Sequence, residues 1–207
     1  MSKKKSQGKA AAAPQRPAGG MAIAAGWPVY EVLLSRGWDK QDELATVLIA
    51  RRSPNSGKVA AATFLVDRAC LGVKGAQVRL HKDVAEYRAG LRAHIVGRQQ
   101  MDAADFNLAA KIIFTGLEYA AGLGFRPDAV FAQAEPLLAG ADPDAVATPV
   151  HAGGKDGKPL FINGPYDDVE RVLAQLRRSV GEGNFNYVLG TGPDSPLLMS
   201  DGGKWSD

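Results

Sequence analysis

A chain of 207 residues with 45% hydrophobic and 23% charged residues has the balance of a globular protein and the length of one domain with tails. Its single cysteine, Cys70, excludes an intramolecular disulfide and a Cys-rich zinc site, and no apolar run approaches the roughly 20 residues a membrane-spanning helix needs. The formal charge of +3 is unevenly spread: residues 1–20 carry Lys3, Lys4, Lys5, Lys9 and Arg16 and no acid, so the remainder is net acidic by two.

Residues 1–20 are low in complexity and lack side chains able to anchor a core, which predicts a disordered basic tail. Pro14, Arg16 and Pro17 interrupt any apolar core of a signal peptide. Residues 21–190 read as one domain, and the Gly/Pro/Ser/Asp-rich residues 191–207 as a flexible C-terminal tail. Pro28 to Arg36 is expected to be a short helix, with Val29, Val32 and Leu33 on one face and Gly37 as its stop. The stretches 43–52 and 58–72, joined by a Pro/Asn/Gly turn, read as an antiparallel hairpin. Val47 and Ile49 on one face and Leu48 and Ala50 on the other place the first strand centrally. Residues 73–80 extend the sheet.

From Asp83 the period turns helical, through Val84, Tyr87, Leu91 and Ile95. Further helices are expected over 103–122 and from Pro127 to Pro136. A loop over 139–158 leads to a strand at 158–164. Asp167 and Glu170 have the spacing of a capping box before a helix that ends at Gly181, and 184–190 is a last strand. The layout is α+β: an antiparallel or mixed sheet, built from hairpin 43–72 and later short strands, packed by three to five helices.

The chemistry is sparse. Asp67, Cys70 and Lys74 cluster where a strand ends. Asp67 with Glu118, and with Asp167 or Asp168, supplies the carboxylates of a divalent-metal phosphodiester hydrolase using Mg2+ or Mn2+, with Lys74 holding an anion. The structural alternative makes Asp67 a cap and Cys70 a small buried hydrophobe. His81, His94 and His151 have no spacing that pairs one with Cys70 or builds a zinc site. Residues 151–168 lack the Walker spacing, because Pro159 follows Lys158, but the turn from Gly164 to Asp168 before a helix is placed to bind a small anion.

The segments FLVDRACLGVKGA, LEYAAGLGF and FINGPYDD resemble parts of uncharacterised bacterial proteins. The resemblance implies no activity. It implies that Asp67, Cys70, Lys74, Glu118 and the Gly164–Asp168 turn share one surface.

The clearest partner signal is charge. The tail cations, with Arg51 and Arg52 at a strand end, point to a cytoplasmic binding protein associated with nucleic acid, RNA or DNA, or with a nucleoprotein particle. The metal-dependent nuclease is the alternative. A non-catalytic subunit of a larger assembly, with Trp38 and Trp205 as contacts, is the second.

Overall fold

The computed structural model describes residues 19–40, 42–190 and 198–199. Its centre is a five-stranded antiparallel sheet in the order β4-β3-β2-β1-β5, formed by β1 (Val29–Ser35), β2 (Ala45–Arg52), β3 (Val59–Asp67), β4 (Gly72–His81) and β5 (Met101–Ala103). The expected hairpin is β2 and β3, in unbroken register from Ala45↔Val66 to Arg52↔Val59. β2 is the middle strand and is covered on both faces, as its two-sided apolar pattern requires.

β1 replaces the helix expected over Pro28–Arg36. Its sequence, VYEVLLS, is rich in β-branched and aromatic residues, and both of its faces become buried. Val32 and Leu34 join the inner core, whereas Leu33 joins the outer one. A strand buried on both sides loses its alternation and offers a spurious three-to-four spacing. Pairing with β2 and β5 then decides the conformation. Gly37, at φ 81°, turns the chain after the strand.

On the inner face, Val47, Ile49, Phe64 and Val66 pack against α4 (Phe106–Gly122) through Ala109, Ile112 and Ile113. Asp105 caps α4 by accepting from the amides of Asn107 and Leu108. α1 (Gly19–Ala24) and α5 (Phe131–Ala134) complete this layer, with a 3-10 turn at Glu135–Leu138 carrying the chain past Pro136.

On the outer face, α2 (Val84–Tyr87) runs through a wide turn at Arg88–Arg92 into α3 (Ala93–Val96). Asp83 caps α2 through the Glu86 amide. Tyr87 and Leu91 bury themselves on Leu48, Ala50, Val59 and Ala61, each contributing about 1.5–3 kcal/mol of apolar transfer.

A second sheet has the order β6-β7-β8, from β6 (Leu160–Ile162), β7 (Asn186–Leu189) and β8 (Leu198–Met199). β6 and β7 are parallel, so the chain must cross over between them, and α6 (Val169–Val180) is that crossover. Val172 and Leu176 pack with Phe161, Phe185 and Cys70 into a third apolar cluster. The cap of α6 is Asp168, which accepts from the Arg171 amide, and not the expected Asp167. Leu198–Met199 pairs with β7 within the stretch expected to be a flexible tail. The remaining expectations for the two tails, Trp205 included, lie outside the described residues. Among the described residues no helix is long and apolar enough to cross a membrane.

Candidate functional site

The cluster at the end of β3 is a clamp. The Asp67 carboxylate turns back over the β3–β4 connection and accepts from the amides of Ala69 and Cys70 at 2.9 and 3.0 Å. Burial pushes its carboxyl above the usual range, opposed by these amides and by nearby Lys74. The connection closes at Gly72, at φ 70°, which faces α4 so tightly that a Cβ there would lie 2.7 Å from the Ala120 Cβ.

Between Leu65↔Gly75 and Val66↔Val73 the register slips, leaving Lys74 as the extra residue of a β-bulge. The bulge turns its ammonium toward Asp167, 2.5 Å away, with both side chains largely buried. Asp167 also accepts from the Gly164 amide at 2.7 Å. Asp67, Cys70, Lys74 and the Gly164–Asp168 turn therefore meet, tying the second sheet to the first.

This arrangement has little capacity for chemistry. Cys70 is fully buried, and its thiol is pushed up by burial first and by Asp67 second, so it carries no thiolate. Tyr119, beside it, is pushed up to about 12, mainly by burial. Glu118 is exposed on α4 while Asp67 is buried, and among the described residues no three His, Cys, Asp or Glu side chains gather in a way that could hold a metal ion. At the anion site expected at Gly164 and Asp168, the Gly164 amide is taken by Asp167 and the Arg171 amide by Asp168.

The two arginines at the end of β2 part company because successive strand residues face opposite sides. Arg51 turns inward. Its guanidinium donates to the carbonyls of Leu137, Ala25, Trp27 and Ala139 and lies over the Phe106 ring, so it is a structural clamp. Arg52 is exposed on the outer face. Lys3, Lys4, Lys5, Lys9 and Arg16 lie outside the described residues.

The outer face holds a feature that the sequence pattern does not single out. Register places Thr46, Leu65 and Gly75 in one row across β2, β3 and β4, and Thr63 and Gln77 in the next. The covering helix ends at Gly97, leaving these rows open beneath His94, Ile95, Arg98 and Gln99. The result is a groove of about 430 Å3 with hydroxyl, amide, imidazole and guanidinium groups along it and no carboxylate. Gly75 contributes no side chain to the floor.

The layer around the groove is basic. Residues 75–98 carry five cations against two acids, whereas residues 101–190 carry seven against twelve, so this face is more positive than the rest of the folded part that follows it. Arg92 is paired with Glu31, and Arg88 donates to the Tyr30 hydroxyl. Arg79, Lys82 and Arg98 are exposed and have no ion-pair partner among the described residues. The one sequence signal for this face is that cation excess.

Comparison with protein-family models, with curated proteins and with solved structures finds no match to this chain.

Proposed function

We propose that the protein is a nucleic-acid-binding module that docks the phosphate backbone on the outer face of its five-stranded sheet. The observation that carries this reading is the groove beneath α3, with Arg98 and His94 on its wall, exposed Arg79 and Lys82 on the same layer and no carboxylate along it. A polyanion meets donors there and no repelling charge. The basic arm supplies a second, sequence-independent attraction: Lys3, Lys4, Lys5, Lys9 and Arg16 lead into α1. Downstream of α1, the Arg52 amide donates to the Pro28 carbonyl, so the chain from α1 joins the sheet at the Arg52 end. A reducing, cytoplasmic setting suits the single buried thiol.

The test measures affinity for labelled RNA and DNA at several salt concentrations. It compares the full chain with a variant in which the five arm cations are replaced by glutamine. Binding that weakens steeply with salt, by a slope of about 0.9 per phosphate contact on duplex DNA, is expected. The neutralised arm lowers both affinity and slope. A full chain that binds no nucleic acid at low salt overturns the reading.

A further inference from the structure

We infer that the groove beneath α3 receives one unpaired nucleotide of a single strand, with its phosphate on Arg98 and its base over the floor formed by Thr46 and Thr63, its edge within reach of exposed Gln77. This rests on the nucleic-acid reading and narrows it to a substrate class.

Size and shape come first. A groove of about 430 Å3 has room for a small organic group and is open to solvent along one side. Thr63 is only 8% exposed, so it sits at the bottom. A duplex is convex and keeps its bases stacked inside. It can lay phosphates against Arg98 at the rim and against exposed Arg79 on the same face, but it presents nothing that reaches Thr63 at the floor. A single strand can splay a base out of its own stack and insert it.

The lining chemistry fits the same occupant. Gln77 and Gln99 each present an amide with two donors and an acceptor, the pattern that reads a base edge, and the two threonine hydroxyls supplement it. Leu65 and Ile95 give the flat face of a base an apolar surface. Arg98, four residues beyond His94 and without an ion-pair partner among the described residues, is available to a phosphate at the mouth. A small carboxylate alone would satisfy Arg98 but would leave the amides of Gln77 and Gln99 without a matching edge.

The experiment uses the full chain and measures fluorescence anisotropy with labelled oligothymidylate, alone and annealed to oligoadenylate. Arg98→Ala and Gln77→Ala replace exposed side chains, and circular dichroism confirms that each variant is folded. Arg98→Ala is expected to weaken the single strand by about tenfold and to reduce its salt slope by about one. Gln77→Ala is expected to weaken the single strand and leave the duplex unchanged. Equal losses for both forms in Gln77→Ala would show that no base enters the groove and would overturn the inference. If neutralising the arm abolishes binding while both groove variants bind the single strand like the parent, the inference fails and the nucleic-acid reading stands. If the parent binds neither these forms nor oligouridylate, both fail.

Discussion

Lys74 and Asp167 meet at 2.5 Å across the join between the five-stranded sheet and the β6-α6-β7 unit, 93 residues apart in the chain. The pair answers why a strand bound for the core ends in an acid, a thiol and an amine. The acid folds the turn, the thiol fills the apolar cluster under α6, and the amine is turned by a bulge to hold the second unit.

Removing one partner of that pair leaves a mostly buried charge without its neighbour. Lys74→Met is expected to lower the unfolding free energy by about 3 kcal/mol. Lys74→Met combined with Asp167→Asn is expected to recover much of the loss, because the asparagine oxygen still accepts from Gly164. Urea denaturation of the two variants measures both values. A single variant as stable as the parent would show that the pair holds nothing together.

Two glycines with the same positive φ separate backbone strain from packing. Gly57 and Gly72 both sit at φ 70°, but a Cβ at Gly57 meets nothing within 4 Å, whereas one at Gly72 meets Ala120 at 2.7 Å and the Gly116 carbonyl at 3.0 Å. Gly57→Ala is expected to cost about 1 kcal/mol, the price of the left-handed backbone alone. Gly72→Ala is expected to cost about 3 kcal/mol, because α4 must also be displaced. Equal losses in thermal denaturation would show that α4 yields freely at this contact.

Arg51 and Arg52 are adjacent in sequence and opposite in consequence. Arg51→Met strips donors from the carbonyls of Leu137, Ala25, Trp27 and Ala139, and is expected to cost about 3 kcal/mol of stability. Its nucleic-acid affinity, measured where the variant is still folded, should match that of the parent. Arg52→Ala is expected to leave stability within about 0.5 kcal/mol and to weaken nucleic-acid binding. Binding lost in the folded Arg51 variant, or retained unchanged in the Arg52 variant, contradicts the assignment of faces.

The parts of the fold legible in sequence are those where local pattern and tertiary environment agree. The β2–β3 hairpin has branched residues either side of a Pro/Asn/Gly turn, and the two-sided apolar run of β2 foretells its central place. The failure at Val29–Ser35 has the same origin: a strand buried on both faces carries no alternation, so only its pairing with β2 distinguishes it from a helix. Asp167 and Asp168 are both plausible caps by spacing, and the choice falls to Lys74, which claims Asp167 from far along the chain. The groove was not legible because Thr46, Thr63, Gln77 and Arg98 are each ordinary as single residues. Strand register and the end of α3 at Gly97 bring them together.

His81 sets the expected response to acid. It is 1% exposed at the end of β4, edge-on to the Tyr87 ring, and neither ring nitrogen has a hydrogen-bond partner. Burial lowers its pKa from the ordinary 6.5, with Arg79 adding to the shift and Glu86 opposing it. Below about pH 6.5 the unfolded chain takes up a proton that the folded chain refuses, so the unfolded state binds more protons and stability falls as pH falls. The slope reaches at most about 1.4 kcal/mol per pH unit and ends where the folded histidine itself titrates. Above about pH 8 the residue contributes almost no slope. His81→Phe keeps a ring against Tyr87 and removes the proton site, so its denaturation midpoint should change less between pH 7 and pH 5 than that of the parent. A parent and variant with the same pH dependence over that interval would show that His81 is protonated alike in both states, and that the layer joining α2 to the sheet admits the charge.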